Sequence, residues 1–122
     1  RGLTMTRVLT VAKVTVLPEY EVEYITTVHA LAELGRPRGQ HIWLFKSGHT
    51  PHTYLEFSES RSEMSHRSRA SRTDMELRLE RRLRGIAQYG PGSSELWEEV
   101  EPPEPRSSGW QPDMDDEDSS ES

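Results

Sequence analysis

The pattern of hydrophobic and polar residues predicts three strands in the first half of the chain. Residues 6–17, 41–45 and 53–57 are rich in β-branched and aromatic residues, which favour strands. Gly48 and Pro51 separate the second segment from the third, so these two form a hairpin. Apolar residues occupy both faces of these strands: Ile42 and Leu44 oppose His41, Trp43 and Phe45, and Leu55 and Phe57 oppose His52, Tyr54 and Glu56.

Helices are predicted on either side of the hairpin. Pro18, which is tolerated at the start of a helix, and Gly35, which favours its end, bound an amphipathic helix of about four turns. Two Ser/Thr-x-x-Glu capping boxes, beginning at Ser60 and Thr73, predict helices over roughly residues 61–71 and 74–88. A final strand is expected over residues 95–100. The predicted order is therefore β-α-β-β-α-α-β.

This order is the split β-α-β pattern of a ferredoxin-like α+β fold, a four-stranded antiparallel sheet with helices on one face. The other face would expose a patch built from members of Trp43, Phe45, Tyr54 and Trp97, or from their opposite-facing neighbours. A monomer rarely leaves such a patch in water. We therefore predict a homodimer whose two sheets pack face to face.

Composition divides the chain into a body and an acidic tail. Residues 101–122 contain eight acids against Arg106, and their only large apolar residues are Trp110 and Met114. Such a segment buries too little apolar area to offset the entropy of ordering it. We expect a disordered tail that can bind a protein partner or fold back on the arginine-rich helical region of this chain, which contains residues 67–84. Residues 1–5 are then an N-terminal extension, and residues 6–100 form one domain.

Several classes of function are disfavoured by what the chain lacks. It contains no cysteine, which excludes disulfides, zinc–thiolate sites and thiol nucleophiles. No apolar run approaches the ~20 residues that span a bilayer, so we expect a cytoplasmic protein without membrane contact. The arginines of residues 67–84 are interleaved with glutamates and lack stacking aromatics, which argues against nucleic acid as a partner. Phosphate-loop and nucleophile-elbow motifs are absent.

Four consecutive runs carry a family resemblance: VLTVAKVTVLPEYEVEYITTVHALAEL, RGQHIWLFKSG, TYLEFSESRSEMSHRSRA and RLRGIAQYGPGSSELWEEV. Their order and spacing resemble the antibiotic-biosynthesis-monooxygenase type of dimeric α+β barrel, over residues 6–100. The resemblance implies an oxidoreductase that oxygenates a small aromatic, quinol or polyketide-like substrate without a cofactor. The alternative is a non-catalytic dimeric barrel that binds a small ligand or a protein.

The resemblance also implies a pocket lined by residues of the hairpin and the helix after it. Trp43 would shape the pocket, Tyr54 would hydrogen-bond a substrate oxygen, and His66 would transfer a proton. His41 and Trp97 are further candidates for binding substrate. Trp43, Tyr54 and Trp97 suit a core or a dimer interface better than a ligand stack, and His66 suits an exposed helix position better than a catalytic one. Haem degradation is not expected, because the Asn-Trp-His arrangement of that branch needs an asparagine and the chain has none.

A metal site is not expected. His49 and His52 have a spacing that suggests metal ligation, but they lie in a Gly/Pro turn. We expect both to be exposed and to lack a fixed carboxylate partner.

Overall fold

The computed structural model describes residues 6–62 and 72–103, which form an α+β fold. The predicted fold class is confirmed. Single-turn 3-10 helices, Pro18–Tyr20 and Arg36–Arg38, precede and follow the first α-helix. Within the described residues the elements are β1 (Val8–Val16), α1 (Glu21–Gly35), β2 (His41–Lys46), β3 (Thr53–Ser60), α2 (Asp74–Ile86), β4 (Ala87–Tyr89) and β5 (Trp97–Glu98).

The strands form one antiparallel sheet in the order β2-β3-β1-β4, with β5 also paired to β1. This is the strand order of a ferredoxin-like fold. The register pairs Trp43 with Phe57, and Phe57 with Val11. Directly opposed residues share a face, so this register decides which side chains meet the helices.

The end of the chain differs from the sequence-based expectation. The helix expected to reach residue 88 ends at Ile86, and Ala87–Tyr89 pairs with the end of β1 instead. Of the closing strand expected over residues 95–100, Trp97–Glu98 pairs with the start of β1. The edge of β1 presents backbone groups that need hydrogen bonds, and Gly90 N donates one to Lys13 O at 2.8 Å. Two short strands therefore share the edge that one strand was expected to occupy.

The capping box predicted at the start of α2 is confirmed. Thr73 Oγ1 accepts a hydrogen bond from Glu76 N at 3.1 Å, and Glu76 Oε1 accepts one from Thr73 N at 2.9 Å. The capping box expected at Ser60 depends on Glu63, and the helix expected to follow it covers residues 61–71. Most of that segment lies outside the described residues.

The core lies between the sheet and the two helices. Val14 and Val16 of β1 and Tyr24 of α1 are almost fully buried there. Arg82 of α2 forms an ion pair with Glu23 of α1 and lies 5.6 Å from the ring centre of Tyr20, which ties the two helices together at the surface. The core also contains Val28, Leu31, Tyr54, Leu83 and Ile86.

Neither described helix is long and apolar enough to cross a membrane.

The face of the sheet away from the helices is open and apolar. We call it the open face. Trp43, Phe45 and Trp97 lie on it with 47%, 57% and 53% of their surfaces exposed. Phe45 packs edge-on against Phe57, with 5.5 Å between the ring centres. Tyr54, a candidate for the expected patch, lies on the helix-covered face instead.

Candidate functional site

Strand β3 turns polar side chains toward the helices, which is the reverse of the usual arrangement. Glu56 and Ser58 pair with Ala12 and Thr10 of β1 and share their helix-covered face. Leu55 alternates with them and faces the open side, where it is exposed. A sheet normally directs its apolar residues to the core. A polar row beneath the helices therefore marks a place where the interior is not filled by hydrophobic packing.

A cavity of about 650 Å³ lies over this polar row. Its floor includes Glu56 and Ser58 of β3 and Gln40 before β2, and its roof includes Leu83 of α2. Tyr89, Ser93, Ser94 and Leu96 form a side wall. Ligand sites of small-molecule enzymes typically enclose about 300–1,000 Å³. The cavity is therefore large enough for a substrate with one or two aromatic rings.

Glu56 is a carboxylate in the lining of the cavity, which also includes Arg72, Glu80 and Arg84. The hydroxyls of Tyr24 and Tyr89 both donate to its Oε2, at 2.6 Å and 2.7 Å. No donor among the described residues is bonded to Oε1, and Glu56 lines the cavity. Two hydrogen bonds thus hold Oε2 in place, while Oε1 can accept a hydrogen bond or a proton from a ligand.

Burial determines the protonation of this cluster. Burial raises the pKa of Glu56, and the hydrogen bonds from Tyr24 and Tyr89 offset this only in part. Burial and the neighbouring Glu56 charge raise the pKa of both tyrosines, so their hydroxyls remain protonated donors. A carboxylate whose pKa is raised by burial is a stronger base than an ordinary surface glutamate. The cluster can therefore accept a proton from a weakly acidic ligand.

A second polar network reaches the cavity from a buried ion pair. Arg38 Nη1 donates to Glu76 Oε1 at 3.0 Å, and Arg38 Nη2 lies 2.8 Å from Glu76 Oε2. Arg38 Nη2 also donates to Gln40 Oε1 at 2.7 Å, and Gln40 Nε2 donates to Ser58 Oγ at 2.8 Å. Burial acts to raise the pKa of Glu76, but the bonds from Arg38 and Thr73 outweigh it and hold that pKa below its usual range.

Known structures share this architecture. A Caulobacter crescentus protein, named as a candidate antibiotic biosynthesis monooxygenase, has a TM-score of 0.63 at 16% identity, covering 80% of this chain and 93% of its own. A Bordetella bronchiseptica protein with the same candidate assignment has a TM-score of 0.56 at 19% identity, covering 78% and 98%. A Bacteroides thetaiotaomicron protein of unknown function, suggested to be an oxidoreductase, has a TM-score of 0.64 at 11% identity, covering 77% and 98%.

The chain has an antibiotic-biosynthesis-monooxygenase-like fold. This confirms the resemblance drawn from the order of elements. Neither a family model nor a curated protein matches the sequence. The shared feature is thus the three-dimensional arrangement of the sheet and helices.

This monooxygenase-like fold places Tyr54 in the core rather than in the cavity. Its hydroxyl donates to Glu21 Oε2 at 2.9 Å, and its ring centre lies 5.1 Å from that of Tyr24. Burial and the bond to Glu21 raise the pKa of Tyr54 to about 12. Tyr54 is positioned to hold α1 against the sheet. His66, the other candidate catalytic residue, lies outside the described residues.

The three candidate substrate-binding residues lie together on the open face. The rings of His41 and Trp43 stack at 6.2 Å with an interplanar angle of 19°, and His41 Nδ1 lies 3.4 Å from Glu59 Oε1. Trp43 and Trp97 border a cleft of about 290 Å³ on this face. Trp43 and Tyr54 therefore lie on opposite faces of the sheet, and the structure does not bring them together in one pocket.

The turn histidines differ from expectation in one respect. His52 Nδ1 lies 3.2 Å from Glu21 Oε1, so the expectation that it lacks a carboxylate partner is wrong. His52 also adopts a φ of 59°, a left-handed conformation that is uncommon for a residue with a side chain. The described residues contain no group of three or more side chains that could hold a metal ion.

The sequence analysis did not identify Glu56, Tyr24, Tyr89 or Gln40 as site residues. A signal for Glu56 was present, because it alternates with Leu55 and Phe57 in a strand expected to be covered on both sides. A charged residue at an interior strand position requires polar partners. Those partners, from α1 and β4, could not be assigned without the tertiary structure.

Proposed function

We propose that this protein is a cofactor-independent monooxygenase that oxidises a small phenolic or quinol substrate in the cavity, with Glu56 as its general base. The observation that carries the proposal is the Glu56 carboxylate in the cavity lining, with one oxygen held by two tyrosines and the other without a donor among the described residues. The candidate monooxygenase assignments of proteins with the same fold support the same reaction class.

Glu56 Oε1 would begin the reaction by accepting a proton from a substrate hydroxyl. The resulting phenolate is a better electron donor than the neutral phenol and reacts with dioxygen, which enters as the second substrate. For a quinol, one oxygen atom is inserted at a ring C–H bond and the other leaves as water. The product is a hydroxyquinone, and all the electrons that reduce dioxygen come from the substrate.

The two tyrosines have a positioning role in this scheme. Their hydroxyls stay protonated because burial and the charge of Glu56 raise their pKa values. They hold Glu56 Oε2 in one orientation, and Oε1 is the oxygen left to bind the substrate hydroxyl. Leu31, Ile42 and Leu83 supply apolar walls against which an aromatic ring can pack. The site thus combines a base with an apolar surface.

The proposal is tested by oxygen uptake. The full chain is incubated with naphthohydroquinone, and dioxygen consumption is followed with an electrode beside a protein-free control for autoxidation. We expect protein-dependent uptake and a hydroxynaphthoquinone product that carries one oxygen atom from isotope-labelled dioxygen. Tight binding of the quinol without uptake would overturn the enzymatic proposal and support a ligand-binding barrel.

We also propose that the protein is a homodimer formed through the open face. Trp43, Phe45, Leu55 and Trp97 are all more than a third exposed on this face. Contiguous apolar patches of this kind are typical of interfaces between proteins, and aromatic residues are enriched at their centres. A second copy with the same open face would cover this surface by packing sheet against sheet.

Changing Trp43→Asp should convert the dimer to a monomer. A charged residue at an aromatic interface position should cost at least about 2 kcal/mol, which corresponds to about a 30-fold increase in the dimer dissociation constant. Light scattering with size-exclusion chromatography measures this. Val22→Asp is the matched control, because Val22 is 78% exposed on α1, away from the open face. A wild-type protein that remains monomeric at high concentration would contradict the homodimer.

A further inference from the structure

The side chain of Gln40 has one defined orientation in the cavity wall. Its Oε1 lies 2.7 Å from Arg38 Nη2. A guanidinium group only donates hydrogen bonds, so the amide oxygen must face Arg38 and the amide NH₂ group must face Ser58. Gln40 Nε2 then donates to Ser58 Oγ at 2.8 Å. The arginine therefore decides the hydrogen-bonding role of the serine.

Ser58 is consequently an acceptor toward Gln40 and keeps its own proton. A serine hydroxyl has one proton to donate besides its acceptor positions. Within residues 6–62 and 72–103, no side-chain or backbone acceptor is bonded to this proton, and Ser58 lines the cavity. The cavity wall therefore offers a hydrogen-bond donor, because Gln40 uses Ser58 only as an acceptor.

This donor lies a fixed distance from the proposed base. Glu56 and Ser58 are two residues apart on the same face of β3, so their Cα atoms are separated by about 6.6 Å. Glu56 Oε1 is an acceptor and the Ser58 hydroxyl is a donor. An aromatic ligand that carries a hydroxyl group at one end and an acceptor oxygen at the other can bond to both.

We propose that Ser58 is a specificity-determining residue of the cavity, which donates a hydrogen bond to a second oxygen of an aromatic substrate whose hydroxyl is bound by Glu56. The assignment of Glu56 rests on the proposed function, but the selection of ligands by Ser58 is a property of binding alone. Arg38 and Gln40 are positioning residues. The buried Glu76 carboxylate holds Arg38, so the orientation of Gln40 is fixed before a ligand arrives.

The test compares two ligands of nearly equal size by isothermal titration calorimetry. Both are derivatives of alpha-naphthol, with either a methoxy or an ethyl group at the para position. They differ only in whether an acceptor oxygen is present. The wild-type protein should bind the methoxy compound about three- to tenfold more tightly, the range that one hydrogen bond supplies.

Two variants separate the role of Ser58 from a general effect on the fold. Ser58→Ala should abolish the preference or reverse it, because the methoxy oxygen would then be buried without a donor. Ser58→Thr keeps the hydroxyl and should keep the preference. Gln40→Glu removes the donor to Ser58, whose proton would turn to the new carboxylate. The preference should therefore disappear in Gln40→Glu although Ser58 is still present.

The binding and turnover results distinguish this inference from the proposed function. Loss of the methoxy preference in Ser58→Ala and Gln40→Glu supports the inference even if no oxygen uptake is found with naphthohydroquinone. A wild-type protein that does not prefer the methoxy compound, whether or not it binds either ligand, overturns the inference. Retention of the preference in Ser58→Ala also overturns it, even if oxygen uptake has established the enzyme.

Discussion

Changing Glu56→Gln should lower kcat by about 100- to 10,000-fold, the usual effect of removing a general base. The glutamine side chain has nearly the same shape, and its amide oxygen can still accept the hydroxyls of Tyr24 and Tyr89. It has no carboxylate to accept a substrate proton. The loss of turnover is therefore due to the missing proton acceptor and not to a change in the structure of the site. Initial rates of oxygen uptake measure the change.

Glu33→Gln is the matched control, because Glu33 is an exposed residue of α1 paired with Arg36 at the surface. Its kcat should equal that of the wild type. Circular dichroism should show the same fold in both variants. A Glu56→Gln protein that retains wild-type turnover would remove Glu56 from the mechanism.

The Glu56→Gln variant also predicts the direction in which the free energy of unfolding changes with pH. Because burial raises the pKa of Glu56 above the ordinary 4.5, the folded protein keeps this proton at pH values where the unfolded chain has lost it. Glu56 therefore favours folding most at low pH, and this contribution falls as the pH rises from 4.5 through the raised pKa. Glu56→Gln lacks that decline. Urea denaturation should show its stability relative to the wild type increasing with pH across this window.

Changing Arg38→Met should lower the free energy of unfolding by about 3–5 kcal/mol, because it leaves the Glu76 carboxylate buried without its partner. The side chain of Glu76 is 1% exposed and that of Arg38 is 16% exposed. Methionine preserves most of the aliphatic volume, so the loss reflects the ion pair with Glu76 and the hydrogen bond to Gln40. Urea denaturation at neutral pH measures it.

An ion pair two residues away supplies the control. Arg36 pairs with Glu33 at 2.9 Å, but both side chains are more than half exposed. Arg36→Met should change stability by no more than about 1 kcal/mol, because exposed pairs contribute little. If Arg38→Met and Arg36→Met lowered the free energy of unfolding equally, the burial of Glu76 would not be the cause of the destabilisation.

Protonation provides a second check on the buried pair. The lowered pKa of Glu76 means that its contribution to stability is present above the ordinary carboxyl pKa and lost as the pH falls through the lowered value. The difference between wild type and Arg38→Met should therefore narrow at acid pH. Adding Glu76→Gln to Arg38→Met should recover part of the lost stability, since no buried charge then remains.

The main elements could be predicted because each depends on local sequence. The strand pattern of residues 6–17 and the hairpin follow from side-chain alternation and turn residues, and the capping box at Thr73 is a four-residue signal. The short strand Ala87–Tyr89 could not be found this way. Its three residues continue a helical pattern, and they leave it because the edge of β1 is there to pair with.

The site was less predictable than the fold. Alternation along β3 placed Tyr54 with Glu56 on one face and Leu55 with Phe57 on the other, and the structure agrees. Alternation does not reveal which face the helices cover. Alternation also does not fix the register of β2 against β3. The predicted grouping of Trp43 with Tyr54 in one pocket depended on that register, which places them on opposite faces.

The sequence by itself determined the first strand, the first helix, the hairpin and the helix that begins at Asp74, together with the antiparallel α+β class and the presence of apolar residues on both faces of the sheet. These properties arise from contacts between residues close together in the chain. Only the tertiary structure decided that the polar side of β3 lies beneath the helices. Tyr24 and Tyr89 are each more than 30 residues from Glu56, and folding brings both hydroxyls to one carboxylate oxygen. That convergence depends on how α1 and β4 pack around β1, which local patterns do not encode.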